Sequence, residues 1–270
     1  MIRPLNPETD AAGVVELIHE VFPAGTTTTE SWLQQRASIP PRASHADWVA
    51  IVDDTVAARA EAGLKWFSET GSAFVGVSVH PAFRRRGIGR SLWEVAEQYL
   101  DALAPTRVFS MFTETPEGVE FARARGFAEV RAETLSCVDP RTLEVDSLSP
   151  SVVPFRDVSA KEVYDLDMIT TADVPVSEAV TDVPFDEWLD TIWRRPTITH
   201  DGSFAAIEDD RVVSITMLAA NVARARAFVE YTATLPEYRR RGLAEKVKRA
   251  SLRWAAENGI RAVWTTNDDQ

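Results

Sequence analysis

The sequence predicts a duplicated α/β (α+β) chain, two helix-and-strand domains in tandem. Three observations predict it. A proline, an aromatic residue, three arginines and a glycine occur in register twice, in Pro81-Ala82-Phe83-Arg84-Arg85-Arg86-Gly87 and in Pro236-Glu237-Tyr238-Arg239-Arg240-Arg241-Gly242, Arg84 against Arg239 being 155 residues apart. Each loop follows a β-like run and precedes a helix-like one. The 270 residues suffice for two domains, each able to bury its own core. So long a period means duplicated domains, not a solenoid.

The elements repeat in order. Short strands begin at residues 2–3 and 155–156. Helices are expected at 10–22 and 29–37 in the first half, and at 160–170 and 185–194 in the second. Strands follow at 47–52 and 56–67, matched by 203–208 and 211–221. The strands leading into the loops span 73–79 and 227–234. After the first loop Ile88, Leu92, Val95, Ala96, Tyr99 and Leu100 fall at helical spacing. After the second, Leu243, Val247, Ala250, Leu252, Trp254 and Ala255 do so more loosely. Each helix hands over to a further strand, at 107–112 and 261–266. Pro140, Pro150 and Pro154, among serines and acids, mark a linker. The expected domains are therefore 1–139 and 154–270, joined by 140–153.

Composition narrows the function. A content of 45% hydrophobic and 26% charged residues is that of a globular protein. The net charge of −12 opposes nucleic acid and anionic membrane surfaces and suits a cationic acceptor, although solubility alone also explains it. One cysteine, Cys137, excludes an intrachain disulfide and a cysteine-based metal site, so the cytoplasm is the expected compartment. The N-terminus has no apolar signal core, and no apolar run nears the roughly 20 residues that span a bilayer. His19, His45, His80 and His200 are scattered without ligand spacing, so no metal is expected.

The basic glycine loop is the feature that carries chemistry. A helix start leaves backbone N–H groups unpaired and bears partial positive charge, which makes it an anion site. Gly87 and Gly89 let the backbone approach a ligand, and arginines add planar donors suited to phosphate. Neither copy has the Walker spacing, and Gly87 and Gly89 lack the third glycine of a dinucleotide fingerprint.

At these residues the chain resembles the Gcn5-related N-acetyltransferase (GNAT) superfamily, whose loop reads Gln/Arg-x-x-Gly-x-Gly/Ala. Arg84, Gly87 and Gly89 match it, as do Arg239, Gly242 and Ala244. The tandem arrangement is similar to that of two-domain members such as mycothiol synthase. The resemblance implies, in each half, a mixed, mostly antiparallel sheet flanked by helices. It also implies acetyl-CoA, or another acyl-CoA, held by Val77, Val79, Arg84, Arg85, Arg86, Gly87, Ile88, Gly89 and Arg90 in the first half. In the second half the corresponding residues are Thr232, Thr234, Arg239, Arg240, Arg241, Gly242, Leu243, Ala244 and Asn267. Direct acetyl transfer to a small-molecule amine is the implied reaction. Glu230 is the candidate base and Glu61 a weaker analogue; a solvent-facing strand glutamate is the plain alternative for Glu230. A homo-oligomer is compatible with the family.

The pattern also breaks. The segment Thr115 to Phe127 follows the family's Asn-x-x-Ala-x-x-x-Tyr and Gly-Phe signature and keeps Gly126-Phe127. It has Thr115 in place of asparagine and Ala122 in place of the tyrosine that often protonates the leaving thiolate. A degenerate first domain is expected, and a non-catalytic acyl-CoA-binding or scaffolding protein is the alternative function. The second half reaches Asn267 without the family's last helix and strands, which would expose the edge of its fifth strand; the expectation is that the sequence is a fragment of a longer protein or that something else covers that edge. Trp188 and Trp193 fall where relatives form an acceptor cleft, but core packing is the favoured account of them. Asp182, Asp186, Glu187 and Asp190 are expected to attract an amine or simply to face solvent.

Overall fold

The computed structural model describes residues 1–68, 70–143, 149, 151–171 and 183–268. The expected linker falls partly, and Asp182 wholly, outside these residues. Two compact units emerge, one built on 1–23 and 32–132, the other on 24–31, 133–171 and 183–268.

In the first unit β1 (Ile2–Pro4) leads to α1 (Pro7–Val21) and α2 (Thr29–Ala37), then to β2 (Ala46–Val52), β3 (Thr55–Leu64) and β4 (Ala73–Val79). The helix α3 (Ile88–Leu103), the two-residue strand β5 (Val108–Phe109) and α4 (Pro116–Arg123) follow. Asn6 caps α1 by accepting from the Glu8 N–H, and Pro7 opens the helix, where a missing N–H costs nothing. Thr115 caps α4 in the same way, by accepting from the Gly118 N–H. The sheet runs β1-β2-β3-β4-β5, antiparallel except for β4 and β5. Residues Ala58, Ala60 and Ala62 of β3 bury one face against Leu92, Trp93, Ala96 and Leu100 of α3. Val14, Val15 and Leu17 of α1 pack with Val49, Val56 and Trp32 in a second cluster. The fifth strand is far shorter than its expected span of 107–112.

The second unit holds β6 (Glu133–Val138), β7 (Val152–Pro154), α5 (Ala160–Thr171), α6 (Phe185–Trp188) with a π-helical turn at Leu189–Trp193, β8 (Phe204–Glu208), β9 (Arg211–Asn221), β10 (Arg226–Thr234), α7 (Leu243–Glu257) and β11 (Ala262–Asp268). Its sheet order is β6-β11-β10-β9-β8-β7, with only β10 and β11 parallel. The core joins Phe155, Leu166 and Trp188 to Ile215, Met217, Val247 and Ala250.

Two expectations are corrected. The strand expected from Phe155 ends one residue earlier, at Pro154; Phe155–Asp157 is a 3₁₀ turn that drives the fully buried Phe155 ring onto Trp193. The segment 133–138, assigned by sequence to the first domain, is β6 of the second sheet. It pairs antiparallel with β11 from Val138 opposite Val263 to Glu133 opposite Asp268. The edge of β11 is therefore covered. Backbone N–H and C=O groups must be paired somewhere, and a strand from earlier in the chain meets that demand. Among the described residues, no helix is long and apolar enough to cross a membrane.

Candidate functional site

The two loops share one backbone conformation. Gly87 and Gly242 cap their helices at φ 81° and 74°, and the arginine two residues before each glycine is also left-handed, Arg85 at 63° and Arg240 at 62°. A Cβ added at Gly87 or Gly242 would meet nothing within 4 Å, so φ, not space, selects glycine there. At Gly89 space decides instead, since a Cβ would come within 3.2 Å of the Val79 side chain. Ala244 carries that extra carbon in the other copy.

The arginines divide their labour. Arg84 Nε donates to the Val79 carbonyl at 3.2 Å, and Arg239 Nε to the Thr234 carbonyl at 3.0 Å, tying the loop to the end of its strand. Arg86 and Arg241 donate to the Ala82 and Glu237 carbonyls and lie over the Phe83 and Tyr238 rings. Among the described residues, only Arg85 and Arg240 of the six arginines have no partner. Sequence alone treats all six as anion ligands; four of them brace the loop.

The strands differ where the loops agree. β4 pairs with β3 in unbroken register from Ala58–Val79 to Leu64–Ala73. β10 slips against β9 between Val229 and Tyr231, so Glu230 is a bulge residue without a β9 partner. On its other side β10 pairs with β11 only from Arg226 to Val229. Among the described residues, Tyr231 to Thr234 have no strand partner on that edge. β4 opens sooner, since only Ala73 and Phe74 pair with β5.

A cleft of about 600 Å³ occupies the opening in the second unit. Thr232, Thr234, Arg239, Arg240, Gly242, Leu243 and Ala244, all singled out by sequence, line it. Thr170, Tyr231, Ala233 and Tyr238 also line it and were not singled out. Tyr231 lies between two flagged residues, a signal that the sequence does hold. Thr170 sits at the end of α5, and only the fold brings it there. Arg241 and Asn267 do not line the cleft; Asn267 is exposed and pairs with Thr134. In the first unit Val77 and Val79 lie on the open edge, half-buried, while Arg84, Arg85, Arg86 and Gly87 are exposed, Ile88 and Gly89 half-buried and Arg90 exposed.

Glu230 forms an ion pair with Arg195 at 2.7 Å. Trp188 and Trp193 belong to an aromatic stack with Phe155, Phe185 and His200. Trp188 Nε1 donates to Asp167 at 2.7 Å, and burial pushes the Asp167 carboxyl up. Asp190 is engaged by Arg194.

The corresponding face of the first unit is built differently. The fully buried Asp47 carboxylate pairs with Arg36 and Arg59, and Arg59 also reaches Glu61 at 2.7 Å. His45 Nε2 lies 2.9 Å from Asp47. Desolvation, opposed by Glu61, holds the imidazole down at about 4. Tertiary structure thus gathers His45, Asp47 and Glu61 within 4.8 Å although their spacing in sequence suggests nothing. Two guanidinium groups already neutralise the carboxylates. Glu61 packs beside Gly76, where any Cβ would lie 3.3 Å from its side chain.

The sequence profile of the Acetyltransferase (GNAT) family matches residues 12–133 and again 162–270. A tandem GNAT protein from the clavulanic acid biosynthesis pathway superposes over 100% of this chain and 90% of its own, with a TM-score of 0.72 at 20% identity. A GCN5-related N-acetyltransferase from Sphaerobacter thermophilus covers 100% of this chain and 87% of its own, at 0.67 and 16% identity. A glucosamine N-acetyltransferase region of a fungal multi-domain β-N-acetylglucosaminidase covers 98% of this chain and 35% of its own, at 0.60 and 11%. No curated protein sequence matches. Matched twice by one profile over most of its length, the chain belongs to the GNAT acetyltransferase family as a tandem member.

Proposed function

We propose that this protein is an acyl-CoA-dependent N-acetyltransferase that moves an acetyl group to a small-molecule amine, and that the second unit carries the reaction. The cleft at Gly242 carries this reading, because there a helix start, an unpartnered arginine and an open strand edge meet in one concavity. The residues fit the cofactor. Helix-start amides and Arg240 suit its pyrophosphate. The open backbone from Tyr231 to Thr234 offers alternating donors and acceptors to the amides of its arm.

When bound, acetyl-CoA supplies an activated acetyl thioester. Around the bulge, backbone freed from the β9 ladder is suited to donate to the developing oxyanion. Glu230 is the candidate acceptor of the amine proton, reached once an incoming amine competes with Arg195 for the carboxylate. The first unit has an intact loop, but its β4 pairs with β3 without a register slip, and charged side chains fill its face of the sheet, which supports a binding role for that unit without catalysis. The Arg195–Glu230 pair also supports a second reading, in which both units bind acyl-CoA without turnover.

Replacing Gly242 and Gly87 separately with tryptophan tests the assignment, with folding checked by circular dichroism. Gly242→Trp is expected to abolish CoA release across a panel of primary amines, and Gly87→Trp to retain it. Equal activity in the two variants would overturn it. Tight acetyl-CoA binding by calorimetry with no turnover for any amine would favour the second reading.

A further inference from the structure

Release of CoA from a thioester leaves a sulfur anion that must be protonated, and the residue at the family's acid position in the first unit is Ala122. The chain has four tyrosines. Tyr99 bonds to the Ser44 carbonyl and Tyr164 to the Val183 carbonyl. Tyr238 lies under the Arg241 guanidinium in the turn that enters the loop. Tyr231 stands on the opened segment of β10, at the bulge, and lines the cleft, as Tyr238 also does. Its hydroxyl is 2.8 Å from Thr170 Oγ1. Thr170 is buried, and its own proton goes to the Leu166 and Asp167 carbonyls one turn earlier, so the phenol is the donor between the two.

We infer that Tyr231 is the acid that protonates the departing thiolate and that Thr170 positions it; this rests on the cofactor reading above. An arm anchored at Gly242 and running back along β10 passes Thr234 and Thr232 and meets Tyr231 next, about 10 Å from Thr234 at strand rise. In the reaction the amine nitrogen bonds to the acyl carbon, the carbon–sulfur bond breaks, and sulfur keeps the electron pair. The phenol O–H rotates from Thr170 to sulfur and gives up its proton. Thr170 then turns its hydroxyl from the helix carbonyls to the phenolate and steadies it. The proton released by the amine, taken by Glu230 or water, restores the phenol, so the cycle balances as amine and thioester to amide and thiol. The residue 155 positions earlier is Gly76, so the first unit has no phenol at this point.

The test compares calorimetric affinities for CoA and for desulfo-CoA, above the pH at which the thiol ionises, in the full chain and its Tyr231→Phe and Thr170→Val variants. The wild type is expected to bind CoA roughly tenfold more tightly than desulfo-CoA, the worth of a hydrogen bond to a charged group. Tyr231→Phe is expected to erase that margin with desulfo-CoA affinity unchanged, and Thr170→Val to narrow it. In turnover, Tyr231→Phe is expected to lower kcat by about 10²-fold at constant KM. A CoA margin that is absent from the wild type or survives in Tyr231→Phe overturns the inference while leaving the cofactor site standing. Failure of the wild type to bind either compound overturns the cofactor reading as well.

Discussion

Glu230 and Arg195 form an ion pair 2.7 Å long at the point where β10 slips register against β9. The bulge inserts the extra residue, and the glutamate it presents is held by a guanidinium that is 16% exposed. In the proposed reaction an amine would compete with Arg195 for this carboxylate. Glu230→Gln is expected to lower kcat by about 10²-fold while acetyl-CoA affinity stays constant, since Glu230 is not part of the cleft lining. Steady-state kinetics beside calorimetry would check this; an unchanged kcat would remove Glu230 from the proton path.

Asp47 should govern the stability of the first unit. Its carboxylate is fully buried between Arg36 and Arg59, so Asp47→Ala would take a buried partner from both guanidinium groups and leave Arg59 with Glu61. The expected loss is about 3–5 kcal/mol, read from urea unfolding. A loss within the range of ordinary surface substitutions would show that solvent reaches the cluster.

His45 adds a pH dependence to the same cluster, where Arg36, Arg59, Asp47, Glu61 and the Phe74 ring surround it. Its folded value of about 4 lies below the ordinary 6.5, so the unfolded chain binds more protons between those limits. Stability is therefore expected to rise with pH from about 4 to 6.5 and to level off above. His45→Gln should flatten that slope in urea midpoints measured across the window.

Asp167 acts with the opposite sign. Burial raises its carboxyl, so the folded chain holds the proton more firmly and stability falls as pH climbs through the carboxylate range. Asp167→Asn keeps an acceptor for Trp188 Nε1 and removes the buried charge. A higher Tm at pH 7, converging with the wild type below about pH 4, is the expected result. A lower Tm at pH 7 would mean that the charged form is the stabilising one.

The pairing of β6 with β11 is open to direct attack. Ser136 sits opposite Thr265, and Ser136→Pro deletes a donor and clashes in the strand. Amide exchange at Thr265 and Thr266 is expected to accelerate well before the first unit unfolds. Unchanged exchange would mean that β11 holds without its neighbour.

The sequence by itself determined the duplication, the order of most helices and strands in both halves, and the loops at Gly87 and Gly242. These are local properties: periodicity, turn residues and a glycine that must take positive φ at a helix start. The same locality explains what it missed. Arg84 and Arg239 read as anion ligands, but each folds back on its own strand end, which depends on a turn geometry that residue type does not specify. The placement of residues 133–138 in the second sheet was decided by backbone pairing across more than a hundred residues of sequence. The meeting of Thr170 with Tyr231, of Arg195 with Glu230, and of His45, Asp47 and Glu61 around two arginines was decided by packing alone. One loop motif therefore appears in two unequal settings, and only tertiary structure shows that the second of them opens onto a cleft.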